Sequence, residues 1–161
     1  MQQFALSKGL NLPIQGIASS HIEESPRITK VAVIGDDYIG LKPRLEVQEG
    51  DEIVAGDPIF ADKSTPEAKI VAPMSGVVEA INRGARRKLI SVVIRIGETK
   101  RSPIDFSKGM DANSREGLTE LLCSAGLWTS FRTRPYSKVP LVGSQPSAIY
   151  ITATDTEPLA A

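Results

Sequence analysis

Residues 131–138 read FRTRPYSK, a run in which Arg132, Arg134 and Lys138 place three cations within seven residues, with Phe131 just before them and Tyr136 between. Cations two residues apart project to the same side of an extended segment, where they can engage an anion or a carbonyl oxygen. The neighbouring aromatics suit stacking on a flat ring. The competing reading is a charged loop packed on its own domain or on a partner chain. A second candidate is Gly35-Asp36-Asp37-Tyr38-Ile39-Gly40, paired acids beside glycines. Carboxylates of that kind bind cations, but two in one turn fall far short of a complete shell, and a tolerant turn is the default. A third is Arg83 with Arg86, Arg87 and Lys88. It suits anionic lipid heads or an acidic partner, or it is a solvated hairpin end.

The element that must position these groups is legible between Glu49 and Gly76. Turn residues recur there at short intervals, with β-branched residues between, as in a small all-β sandwich or barrel. Glu49-Gly50-Asp51-Glu52-Ile53-Val54-Ala55-Gly56-Asp57-Pro58-Ile59 and Ala72-Pro73-Met74-Ser75-Gly76-Val77 resemble the two halves of a biotinyl/lipoyl-type barrel. Such barrels modify a lysine at a hairpin tip between the halves, and Lys63 is the residue to weigh for that role. It lies seven residues after Gly56 but nine before Ala72, Pro66 intrudes, and no Met-Lys-Met motif surrounds it. A solvated lysine at a loop edge is the reading these residues favour over a lipoyl or biotin carrier.

The 161 residues allow one domain, or one plus part of another. Hydrophobic content of 41% is ordinary for a chain with a real core. Nineteen basic residues balance nineteen acidic ones, against the basic excess of a nucleic-acid binder. No run approaches about 18 apolar residues, and the N-terminus has no apolar stretch of signal-peptide type. One cysteine, Cys123, excludes an internal disulfide, fits a cytosolic chain, and with a single histidine argues against a zinc site. No Gly-rich phosphate cradle, GxSxG or HExxH is present. A self-contained enzyme is hard to assemble from these residues.

Taken in order, residues 1–29 read as an arm lying on a sheet, and 30–105 as the barrel-sandwich. Strands are expected at Val31–Ile34, Arg44–Gln48, Pro58–Lys63, Val77–Ile81 and Leu89–Ile96. Val77, Glu79 and Ile81 are expected on one face of their strand. Asn113–Trp128 reads as a helix, with Leu118, Leu121, Leu122 and Ala125 as its apolar face, Asn113 as its cap and Gly126 as its stop. Cys123 falls off that stripe, a quiet structural thiol. Residues 129–140 read as loop, and Ala148–Thr152 as a strand feeding a helix that Asp155 and Thr156 would cap. Residues 106–161 are thus expected to open an α/β domain, making the chain the N-terminal piece of a longer protein. The fold class expected is mainly β, a barrel-sandwich hybrid followed by the start of an α/β domain.

Four stretches carry a more specific resemblance: Lys8 to Gly16, Val31 to Pro43, Gly126-Leu127-Trp128-Thr129-Ser130-Phe131-Arg132-Thr133-Arg134-Pro135-Tyr136-Ser137-Lys138-Val139-Pro140, and Ile151 to Ala161. With Ala72 to Gly84, they resemble the NqrA family, a component of the sodium-translocating NADH:quinone reductase. The resemblance implies a peripheral position on the cytoplasmic face of the bacterial inner membrane. It implies partner subunits that hold NADH, flavins and iron–sulfur centres, ubiquinone as the substrate reduced, and sodium export as the coupled work. It implies no cofactor on this chain and no catalysis by this chain alone. In the flavin-binding component of respiratory complex I, which this family resembles, the loop after the corresponding helix is Gly-rich and cradles a flavin phosphate. Here Trp128 to Lys138 stands in that place without a glycine, so backbone N–H groups cannot approach a phosphate as closely. A lost flavin site follows, with a quinone headgroup or a partner contact in its stead: Arg134 or Lys138 donating to a quinone carbonyl, Phe131 or Tyr136 flanking the ring, Arg132 grouped with them as quinone-binding or partner-facing, and Gly35, Asp37 and Tyr38 on the same side. The alternative is a module that only docks partner subunits.

Overall fold

The computed structural model describes residues 21–24, 26–108, 111 and 113–151. Most of the expected arm, and the Asp155 and Thr156 cap, lie outside the described residues. Pro26–Gln145 form one compact unit. It is built of two antiparallel sheets. One has the order β1 (Lys30–Ile34), β7 (Leu89–Ile96), β6 (Gly76–Arg83), β3 (Glu52–Ile53); the other has β2 (Pro43–Leu45), β4 (Pro58–Asp62), β5 (Thr65–Val71). The fold is the barrel-sandwich expected, followed by one short helix, α1 (Arg115–Ser124).

Phe60, Ile59, Ile94, Val54, Val78 and Val92 are the largest fully buried side chains, drawn from both sheets. The two Gly-Asp turns are built alike. Asp51 Oδ2 accepts from the Gln48 N–H at 2.7 Å, and Asp57 Oδ2 accepts from the Val54 N–H at 2.9 Å. Each carboxylate therefore closes its own turn. Gly50 and Gly56 supply the left-handed backbone, at φ 92° and 96°. At Gly56 a Cβ would also stand 2.8 Å from Ile104 Cβ, so this turn is closed against any side chain.

Irregular pairings account for most departures from simple alternation. On β6, the pairing passes from Val78↔Ile94 to Ala80↔Val93, so Glu79 is an extra residue. The bulge turns Glu79 to solvent and brings Ile81 against the core with Val78. The expectation that Val77, Glu79 and Ile81 share a face is thereby corrected. On β4, Pro58↔Val71 is followed by Phe60↔Ile70, which leaves Ile59 extra. Ile59, Phe60 and Ala61 are all at 0% exposure instead of alternating. Strand β5 was not expected at all, because Pro66 cannot donate to a ladder. It lies between the pairs Asp62↔Thr65 and Ala61↔Lys69, where the register breaks and no ladder bond is needed.

Helix α1 is shorter than expected and is capped one residue later. Ser114 Oγ, not Asn113, accepts from the Gly117 N–H at 3.1 Å. Gly126 follows the helix in the left-handed conformation, as a C-terminal stop requires. The buried face differs from the one expected. Leu118 is 42% exposed, whereas Cys123 is 4% exposed and the most buried residue of the helix. The helix packs on β5, and that contact selects the face through Cys123. Burial, with Glu67 nearby, pushes the Cys123 thiol above its ordinary range.

The 148–152 strand is not formed among the described residues. Ile149, Tyr150 and Ile151 are 70%, 91% and 84% exposed and in no ladder, and Thr152 lies outside the described residues. β-propensity alone makes no strand without a neighbour to pair with. Among the described residues, no helix is long and apolar enough to cross a membrane.

Candidate functional site

The chain leaves α1 through a 3₁₀ turn, Leu127–Ser130, which also packs on β5. Thr129 and Ser130 were expected in loop and lie in this 3₁₀ turn instead. Thr129 is buried, its Oγ1 donating to Gly126 O at 2.9 Å. Trp128 Nε1 donates to Pro140 O at 2.9 Å, tying the two ends of the candidate loop together. Phe131 packs edge-on against Trp128, with centroids 5.3 Å apart. Thr133 then closes the tip. Its N–H and its hydroxyl both donate to Lys138 O, at 2.8 and 3.0 Å, and the Ser137 N–H donates back to Thr133 O at 2.8 Å.

This closed loop corrects the expectation of an extended segment with its cations in parallel. The Arg132 guanidinium turns back to donate to the carbonyls of Thr129 and Phe131, the latter at 3.0 Å, and is committed to holding the 3₁₀ turn. Arg134 and Lys138 form no hydrogen bond or ion pair through their side chains among the described residues. Lys138 Nζ stands 6.0 Å from the centroid of the Tyr136 ring, which is 74% exposed. Two cations and an aromatic face are therefore available at one loop tip.

The Gly35 turn comes to the same place. Gly35–Asp37 form a 3₁₀ turn after β1, and Tyr38 follows it. The half-buried Tyr38 ring meets the edge of Phe60, centroids 5.6 Å apart at 87°. A methyl added at Gly40 would lie 3.8 Å from Lys138 Cγ and 3.9 Å from its Cδ. The Arg132 charge is also felt at Tyr38. Gly40 thus lies by Lys138 and Tyr38 within reach of the Arg132 charge, with Gly35 at the start of the same turn, facing Leu89, and Asp37 exposed in it. Phe131 is turned instead toward Trp128.

Burial raises the Tyr38 phenol above its ordinary value of 10.0, the Asp37 carboxylate adds to the rise, and Arg132 opposes it. The hydroxyl is therefore a neutral donor throughout the physiological range. The fold favours that neutral form, so the stability it lends is complete below pH 10.0 and is lost as pH rises through the raised value. We expect a phenolate absorbance titration to show a step above the ordinary value of 10.0, and Tyr38→Phe to remove both that step and part of the alkaline loss of stability. The absence of any step above that value would contradict this environment.

The structure also brings together residues that the sequence leaves far apart. Lys63 is at the two-residue tip between β4 and β5, the kind of position at which a carrier lysine would stand. Its N–H donates to Lys42 O at 3.0 Å, and Asp62 Oδ1 accepts from the Lys42 N–H at 3.0 Å. Both lysines line a cleft of about 950 Å³ with Tyr38, Gly40 and the tip of the β6–β7 hairpin. Hairpin tips sharing one end of the sandwich were the missing signal. Among the described residues, no group of three His, Cys, Asp or Glu side chains is placed to hold a metal ion.

Comparison with known proteins gives a consistent result. Residues 4–97 match the family described as the NqrA N-terminal barrel-sandwich hybrid domain, and residues 113–161 that of the NqrA second alpha/beta domain. The chain is 48% identical over 160 residues to the NqrA subunit of the Na(+)-translocating NADH-quinone reductase of Rhodopirellula baltica, covering 97% of this chain and 35% of that protein. It is 49% identical over 158 residues to the corresponding protein from Saccharophagus degradans, with the same coverage. The Yersinia pseudotuberculosis protein of that name is 45% identical over 158 residues, again covering 97% of this chain and 35% of the relative. The chain spans about a third of the length of these relatives.

Proposed function

The chain belongs to the NqrA family, and from that premise we propose that it serves the sodium-translocating NADH:ubiquinone reductase as a peripheral subunit on the cytoplasmic face of the bacterial inner membrane. It contributes to ubiquinone binding and to subunit docking, while NADH, flavins and iron–sulfur centres belong to other subunits. We assign residues 1–29 to an arm, 30–105 to the barrel and 106–161 to the start of the α/β domain.

The observation that carries the quinone reading is the meeting of the Gly35 turn with the Phe131–Lys138 loop. A quinone ring needs hydrogen-bond donors at its carbonyls and a flat apolar or aromatic surface at its face. Arg134 and Lys138 supply donors unpaired among the described residues, Tyr38 a neutral hydroxyl, and Tyr136 an exposed ring. Arg132 positions the loop through backbone carbonyls and is a supporting residue. Reduction of a quinone takes two electrons and two protons. This chain's part is to hold the ring and its developing negative charge while partner subunits deliver electrons.

Photolabelling of the intact complex with a ubiquinone analogue, mapped by peptide, tests the proposal. Label is expected in the peptides containing Tyr38 and residues 131–138. Label confined to other subunits, with this one normally assembled, would leave docking as its role.

A further inference from the structure

A chain of zero net charge carries at one end of its sandwich a cleft with a large cationic excess. Seven cations line it against one carboxylate, Asp36. Lys88 is paired with Asp36 at 2.5 Å, and Arg44 with Glu46 at 2.8 Å. Lys42, Lys63, Arg83, Arg86 and Arg87 remain, and none forms an ion pair among the described residues. They come from three separate segments: the approach to β2, the β4–β5 tip and the β6–β7 tip. Five unpaired cations facing one concavity repel one another unless an anion lies between them.

The β6–β7 tip carries a second sign of purpose. Arg86 and Arg87 are both left-handed, at φ 55° and 61°. A tight hairpin end of that shape is ordinarily filled by asparagine or glycine, for which the conformation is easy. Here it is imposed on two consecutive arginines, and Arg83 Nη1 donates to Arg87 O at 3.2 Å to hold the tip closed. The Lys88–Asp36 pair ties the tip to the Gly35 turn across the cleft mouth. Strain retained in this way marks residues whose side chains are needed where they are.

From these features we infer that the cleft is a binding site for a soluble polyphosphate, an anion with several negative charges spread over linked phosphoryl groups. Guanidinium forks bind phosphate oxygens in pairs, and lysines add point charges. A single carboxylate could neutralise only one of five cations. A flat lipid surface fits less well. Most apolar residues lining the cleft are recessed, with Leu89 2% exposed and Leu41 and Leu45 half-buried; Ile39 stands out at 55% exposure, and one isoleucine is a small surface for insertion. The site shares Gly35, Tyr38 and Gly40 with the turn assigned to quinone, but its five cations are not among the residues of that assignment and it does not depend on it.

The test is calorimetric titration of the 161-residue chain with inorganic tripolyphosphate, without quinone, at low and at physiological salt. Saturable binding at one site is expected, weakening by about tenfold as salt rises through that range. Lys63→Ala and Arg86→Asn should each weaken it by about fivefold. Asparagine accepts the left-handed backbone, and Lys63 is exposed, so both variants keep the fold, which unchanged melting temperatures would verify. Lys108→Ala, outside the cleft, should leave binding unchanged. No saturable heat up to millimolar tripolyphosphate, or equal affinity in all four proteins, would overturn the inference. So would binding to phosphatidylglycerol vesicles that tripolyphosphate does not displace, which would identify a lipid surface.

Discussion

Replacing Arg134 and Lys138 together by alanine is expected to raise the ubiquinone KM of the assembled complex by roughly ten- to a hundredfold, with the KM for NADH unchanged. A hydrogen bond from a charged donor contributes about 1.5–3 kcal/mol when well formed. Both side chains stand at an exposed loop tip, where solvent screens them, so the lower end applies to each and the pair yields one to two orders of magnitude. The loop itself should survive, because its closure runs through Thr133, Ser137 and the Lys138 backbone carbonyl. Arg132→Ala is the informative contrast. Its guanidinium holds the carbonyls of Thr129 and Phe131, so its loss should loosen the loop and lower stability before it touches quinone kinetics. Unchanged quinone kinetics in the double variant, in a complex that assembles normally, would remove these two residues from the site.

What could be read in advance follows the range of the forces involved. Leu89–Ile96 was legible to the residue because a continuous apolar run between polar turns has one outcome in a sandwich. The Gly-Asp turns were legible because Gly50, Gly56 and the aspartates beside them act within four residues. Bulges were not, since Glu79 and Ile59 become extra only through the register of a partner strand. Strand β5 was hidden by Pro66, a breaker tolerated where the ladder is already interrupted. The helix presented two overlapping stripes, one through Leu118 and one through Cys123, and only the contact with β5 selects between them. At the candidate site, the residue types were legible while their commitments were not. Nothing in FRTRPYSK says that Arg132 is consumed by backbone carbonyls or that Thr133 folds the tip shut.

The largest effect on stability is expected at Phe60, and it bears on the site as well. Its ring is at 0% exposure in the central strand of the smaller sheet and receives the Tyr38 ring edge-on at 5.6 Å. Phe60→Ala should cost about 3–5 kcal/mol, the lost transfer of the ring plus the cavity it leaves. That is a large share of the roughly 5–15 kcal/mol available to a domain of this size, so the variant should melt at least about 10 °C lower. Phe60→Leu retains most of the volume and should cost less than about 1.5 kcal/mol. It nevertheless removes the aromatic edge contact, worth about 0.5–1.5 kcal/mol. The two variants therefore separate filling the core from holding Tyr38. If the ring orients the Gly35 turn, Phe60→Leu should still fold cooperatively while the Tyr38 phenol titrates closer to 10.0, its burial relaxed. Denaturant unfolding of both proteins, beside the phenolate titration, makes the distinction. A cost below about 1 kcal/mol for Phe60→Ala would mean that the two sheets close over the gap, and that the position of Tyr38 is set by the Gly35 turn alone.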